Sequence, residues 1–362
     1  MLYITYINFA ANDAMGIKKK VFAQIKEFKK VFDKVFHTCY CGQLMYLYLN
    51  NSILEKEVAL TKQECNALLK KWIKKYNITR TYIRYDWADK WFLDFLHYQK
   101  EQGIRTVLEI PSFPYDDLAI IGCQSAMLED KYYRNQMKKY IDVVSDYDGE
   151  KEIFGIQCIN LQNGVNMEEY PLRQRKYENG KVVLIAVASM LKWHGYERII
   201  LGMKKYYENK GKMDIIFKLV GDGTEINYYK RLVDENHLEK NIIFLGKLDG
   251  ADLDREYINA DIAVGGLGFF KIAIDVGSSI KVREYCARGI PFIYGYDDLG
   301  FYGNEEYALQ VSNDEQIIDM NQVIEFYHSF REQKDISIKM RKKAEKDFTW
   351  EVLLQPVVQY LM

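Results

Sequence analysis

Proline is scarce in this chain, with five in 362 residues. No Pro-rich or low-complexity tract interrupts it, and no period of the kind that builds a solenoid runs along it. Long apolar runs are missing too. None reaches the roughly 18 residues a membrane-spanning helix needs. The opening MLYITYINFA has neither a basic n-region nor a small-residue cleavage site, so it does not read as a signal peptide. Neither sign of charge dominates: 50 Lys+Arg against 51 Asp+Glu leave −1, which excludes a global attraction to nucleic acid. Cysteines are few and scattered, six in all, and none stands in a C-x-x-C pair. Reduced, buried thiols follow from that pattern, and no metal is expected. Together these absences predict a cytoplasmic protein.

What remains is globular, with 48% hydrophobic and 28% charged residues. The length predicts two domains. Apolar runs alternate with helical patterns: Leu2 to Phe9 as a buried strand, then Ile17 to Phe36 as a helix with apolar residues at 3–4 spacing. Cys41 to Leu49 is the next strand, Leu60 to Tyr76 a helix, and the alternation continues to Gly164. A polar run from Met167 to Gly180 reads as a linker. After it strand and helix alternate again. The expected fold class is α/β, with two Rossmann-like domains of parallel sheet facing a cleft at the carboxyl ends of their strands. The boundary is placed at 170.

Chemistry concentrates in SSIKVREYCARGIPFIYG, Ser278 to Gly295. It reads as a helix ending at Gly289, with Lys281, Arg283 and Glu284 crowding its start. Cations there oppose the helix dipole unless an anion binds at that end. A diphosphate fits, with Lys281 and also Arg283 as contacts; a solvated helix with an internal ion pair is the other reading. LVGDGTE puts Gly221 and Gly223 after a strand and before a helix. That turn is able to approach a phosphate, and equally to be a plain tight turn. In the first half, RTVLEIPSFPYDDL gathers Glu109 and Asp116 at a strand end, as TRTYIRYD does Arg84. The helix after Gly16 carries Lys18, Lys19, Lys20, Lys26, Lys29, Lys30 and Lys34. It suits an anionic lipid surface or is a solvated amphipathic face.

GSSIKVREYCARGIPF resembles the donor-site motif of retaining GT-B glycosyltransferases of the family 4 type. NLQNGVN, VASMLKWHGYERII, LVGDGTE, NIIFLGKL and NADIAV follow one another in the family's order. The resemblance implies a nucleotide-diphosphate sugar donor, UDP- or GDP-linked, with no other cofactor. It also implies a glycan or polyprenyl-linked acceptor, retention of configuration, and cell-surface glycan assembly at the inner face of the membrane. Residues 1–170 would bind acceptor and 171–345 donor, with 346–362 a helix returning to the first domain. Glu284 would hold the ribose, and Lys281, Ser279 and Ile280 would lie by the pyrophosphate. Gly16 would approach donor and acceptor, Gly221 and Gly223 would line the nucleotide end, and Leu248 would flank the base. Lys192 and His194 would supply the charge usually given by Arg and Lys of the loop after the first strand of the second domain. Lys281, His194 and Glu109 are the candidate catalytic groups, Asp116 and Arg84 the acceptor contacts. The first of two usual glutamates falls on Val276, beside Asp275. An epimerase on the same fold, or a binding subunit without donor chemistry, are the alternatives.

Overall fold

Strands that are apolar on both faces need helices on both sides, and the chain supplies them twice. The computed structural model describes residues 1–7, 15–116, 124–174 and 180–362. The chain divides into a first unit, Met1–Gln162 with Trp350–Met362, and a second, Asn163–Thr349. The second unit thus begins ahead of residue 170. Asn163 already donates its amide to Ser278 Oγ at 2.8 Å, and Val165 donates to Phe348 O at 2.8 Å.

The first unit runs β1 (Leu2–Ile4), α1 (Met15–Val31), β2 (Phe36–Cys41), β3 (Leu44–Leu49), β4 (Ser52–Val58), α2 (Lys62–Lys75), β5 (Arg80–Arg84), α3 (Lys90–Glu101), β6 (Arg105–Glu109), α4 (Gln124–Tyr133), β7 (Val143–Asp146), β8 (Glu152–Ile153) and β9 (Ile156–Asn160). The sheet order is β4-β3-β2-β1-β5-β6-β7-β9-β8. β3, β4 and β8 pair antiparallel at the two edges; the strands between are parallel. The helix predicted to reach Phe36 stops at Val31, and Phe36 opens a strand instead. The next expected strand is a hairpin turning at Gly42, followed by a third strand that the apolar pattern did not announce. Asn50 and Asn51, both with positive φ, make that second turn, as type I′ hairpins favour. α2 starts on a reciprocal cap: Glu64 N–H donates to Thr61 Oγ1 at 3.2 Å, and Thr61 N–H to Glu64 Oε2 at 3.0 Å.

The second unit runs β10 (Lys181–Ala188), α5 (Glu197–Glu208), β11 (Asp214–Gly221), α6 (Ile226–Glu235), β12 (Ile242–Gly246), α7 (Gly250–Ile258), β13 (Ile262–Val264), β14 (Val276–Gly277), α8 (Ile280–Arg288), β15 (Phe292–Tyr294), β16 (Asp297–Asp298), β17 (Ala308–Gln310), α9 (Met320–Phe330) and α10 (Ile336–Asp347). Its main sheet, β12-β11-β10-β13-β15-β17, is parallel throughout. That is the doubly wound order in which strand succession reverses between the first and fourth strands, here β10 and β13. Ligands of open α/β sheets bind at the carboxyl ends of such a pair.

α11 (Trp350–Leu353) and α12 (Gln355–Leu361) return to the first unit. Trp350, Leu354, Val357 and Leu361 pack with Tyr3, Val21, Phe28 and Tyr82, closing the sheet face that α1 leaves uncovered. The other face is covered by α2 and α3 through Leu69, Trp72, Phe92 and Phe95.

Candidate functional site

At the end of β10 the chain makes a short 3-10 turn, Lys192–His194. Gly195 leaves it with φ +65°, and a Cβ there would stand 2.7 Å from Gly268 N. Only glycine lets this loop press against the one after β13. The two loops are sewn together: Leu267 N–H donates to His194 O at 3.0 Å, and Gly268 N–H to Trp193 O at 3.2 Å. Arg198 secures the second loop by donating to Leu267 O at 2.5 Å and Gln316 O at 2.6 Å. His194 therefore sits at the switch point of the sheet, 5% exposed, its ring stacked on Tyr196 with centroids 5.6 Å apart. Burial, and next the nearby Lys281 ammonium, push its pKa down to about 3.

Lys281 lies in the first turn of α8, half-buried. Burial lowers its pKa, with Glu284 pulling the other way. Ser279 is the N-cap of α8 and makes no side-chain cap hydrogen bond, so the amides of the first turn, Ile280 included, are not capped by it. Glu284 stands one turn in, half-buried, where Tyr170 donates its hydroxyl to Oε1 at 2.9 Å. Sequence reasoning missed Tyr170. It lies in the stretch read as linker, and no local spacing ties it to a carboxylate 114 positions away. Lys192 is exposed on the 3-10 turn.

Arg283 departs from its expected role as a diphosphate contact. It points inward, not toward a ligand. It is fully buried and ion-paired with Asp298, its guanidinium over the rings of Phe301 and Phe348 at 5.4 and 5.0 Å. One of the two cations at the helix start is thus structural. Val276 is exposed in β14, and Asp275 accepts from Asn313 Nδ2 at 3.0 Å.

Gly221 and Gly223 have a packing reason to be glycine. An added Cβ would lie 1.9 Å from Ala188 O and 2.2 Å from Ser189 O, respectively. They also wall a cavity of about 480 Å³ together with Phe244, Gly246 and Lys247. Leu248 follows directly and packs, partly buried, on the core.

The first unit uses three candidates differently from expectation. Glu109 is fully buried and ion-paired with Arg84, itself buried. Lys20 Nζ stands 3.5 Å from the same carboxylate, and Gln24 donates to its other oxygen at 3.2 Å. Burial works to raise the Glu109 pKa, but Arg84 and Lys20 outweigh it and hold the carboxylate ionised. With Arg84 already neutralising Glu109, burial prevails at Lys20, whose pKa falls to about 7. Asp116 is gripped by Arg134 at 2.6 and 3.2 Å and approached by Lys131 at 3.3 Å. Arg84, Glu109 and Asp116 are thus occupied holding the first unit's own loops and helices. Gly16 is helical, in the first turn of α1; residues 8–14, which precede that helix, lie outside the described residues. Among the described residues no three His, Cys, Asp or Glu side chains gather as a metal site, and no helix is long and apolar enough to cross a membrane.

Residues 168–300 match the model of the family described as glycosyl transferases group 1. A comparison with curated proteins gives no match. Among solved structures, a glycosyltransferase from Rickettsia africae ESF-5 aligns with TM-score 0.65 at 14% identity, over 99% of this chain and 97% of that one. The chain has the GT-B fold. Other GT-B neighbours are a sucrose-phosphate synthase from Thermosynechococcus elongatus (0.64, 14%, 99% and 97%) and Anabaena HepE in complex with UDP (0.62, 13%, 99% and 98%). The group 1 match falls wholly in the second unit of this GT-B chain, over the strands and loops that build the site around His194 and Lys281.

Proposed function

We propose that this protein is a glycosyltransferase that moves a hexosyl group from a UDP-linked donor to a glycan or lipid-linked acceptor with retention of configuration. The carrying observation is the convergence at the β10–β13 switch point. His194, Lys281, the uncapped first turn of α8 and the Tyr170-held Glu284 all belong to elements that meet there. A diphosphate would take the cationic helix start, answering why Lys281 opposes the dipole of its own helix. Glu284 would accept from ribose hydroxyls, and the cavity beside Gly221 and Gly223 would take the base. As the glycosidic bond breaks, negative charge gathers on the diphosphate, where preorganised donors stabilise it more than they do the ground state. In a retaining reaction the acceptor attacks on the leaving-group face, and the departing phosphate oxygen takes its proton. The exposed lysines of α1, Lys19, Lys26 and Lys30, support peripheral contact with an anionic membrane bearing a polyprenyl-linked acceptor.

UDP, GDP and CMP, and the sugar conjugates of each, with and without Mg²⁺, form the test panel for thermal shift. A ligand bound only by the native state must raise the Tm. A rise with UDP and UDP-sugars, followed by slow release of UDP from the matching conjugate, supports the reading. A flat panel on folded protein sinks it.

A further inference from the structure

His194 is the one imidazole in the second unit's site, and its surroundings settle what that ring is able to give. Leu191 N–H donates to Nδ1 at 3.0 Å. A backbone hydrogen is fixed in direction, so a proton on Nδ1 would face it head-on, although Leu191 O lies only 3.2 Å away. The shorter contact, from a hydrogen fixed in direction, favours the neutral ring with its proton on Nε2. Charging the ring would require both a second proton at that crowded nitrogen and a cation beside Lys281, in a place 5% exposed. Stacking on Tyr196 and the amide from Leu267 to the His194 carbonyl fix the ring plane and the backbone. Lys281 is the charged group that acts on the ring, and Glu284 in turn acts on Lys281 from the same helix.

Resting on the glycosyltransferase reading, we propose that His194 serves the donor diphosphate as a neutral Nε2–H hydrogen-bond donor, locked in one tautomer by the Leu191 amide. Lys281 is then the cation that the start of α8 contributes, since Arg283 is turned inward to Asp298. This revises the expectation that His194 supplies positive charge. It also states what the site selects for: an anion that meets one ammonium and one neutral donor. A fixed neutral donor costs no proton uptake when the anion arrives, and it keeps its role across the pH range in which an ordinary histidine titrates.

The test is imidazole ¹⁵N NMR on histidine-labelled full-length protein, with the His194 signals assigned by their loss in H194Q. Without ligand, the spectrum is expected to show the Nε2–H tautomer, unchanged from pH 8 to pH 5. Addition of UDP is expected to shift Nε2 and its proton while leaving Nδ1 nearly in place. H194Q, whose amide nitrogen reaches the Nε2 position, should weaken UDP binding less than threefold; H194F, which has no donor, more than tenfold, each measured by calorimetry. An Nδ1–H tautomer, a ring that protonates between pH 8 and pH 5, or equal losses in H194Q and H194F would overturn the proposal. UDP bound with no change at Nε2 would do the same while leaving the glycosyltransferase reading standing. Absence of UDP binding altogether would remove the ligand half of the proposal along with that reading.

Discussion

Glu284 and Arg283 are neighbours in sequence with opposite fates. Glu284 stays half-buried with one oxygen held by Tyr170; Arg283 is buried entirely against Asp298. Two different outcomes follow. Glu284→Ala removes a charged acceptor worth about 1.5–3 kcal/mol in a hydrogen-bonded site. It should weaken UDP binding by roughly 10- to 150-fold with the Tm nearly kept, and calorimetry that shows unchanged affinity would remove the ribose role. Arg283→Met leaves Asp298 charged and buried, which costs about 3–5 kcal/mol. Urea unfolding should report that loss, and the double change Arg283→Met with Asp298→Leu should recover much of it. If the double variant is as unstable as the single one, the pair is not what burial and charge say it is. In the sequence both side chains looked like donor contacts, Arg283 with the diphosphate and Glu284 with the ribose. Helical spacing gives each one's direction around the axis, but not what stands opposite.

At the scale of elements, α1 brings a buried lysine as well as its apolar stripe against the sheet. Lys20 stands near Glu109, which Arg84 already pairs, and lies 3.3 Å from the ring centroid of Tyr147. Its folded pKa of about 7 lies below the ordinary 10.5. Between those two values the unfolded chain binds more protons than the folded one, so stability rises with pH through that window and is lost as pH falls toward 7. The Tm of the native chain should climb from pH 7 to pH 9 more steeply than that of Lys20→Met. Parallel slopes would show that Lys20 keeps its proton in the folded state. The elements themselves were largely legible. α8 ends at Gly289, where the sequence places its end, and strand and helix alternate through the second unit as expected. The hairpin after α1 was not, because it forms where strands pair across a sheet edge, and its turns depend on Gly42, Asn50 and Asn51 more than on apolar period.

At the scale of the whole chain, the last thirteen residues belong to a unit that otherwise ended at Gln162. Trp350, Leu354, Val357 and Leu361 are all but completely buried there. Each is worth about 1.5–3 kcal/mol of burial, and their sum is comparable with the 5–15 kcal/mol that holds a typical domain. A chain cut after Thr349 should show the first unit's melting transition lost or strongly lowered in calorimetry, while the transition of residues 163–349 persists. A truncated chain that melts like the native one would mean that these helices are dispensable.

The sequence by itself determined the alternation of strand and helix, the doubling of that pattern, and the helix start at Ser279 where an anion would bind. All of these are written in local spacing, capping and the distribution of glycine. Only the tertiary structure decided which charges are used for structure and which face the switch point. It turned Arg283, Arg84, Glu109 and Asp116 into internal ion pairs, brought Tyr170 to Glu284, and fixed the His194 ring against the Leu191 amide. The physical reason is that a side chain's charge, proton and exposure depend on partners brought from distant parts of the chain. Those partners are chosen when strands take their order in the sheet.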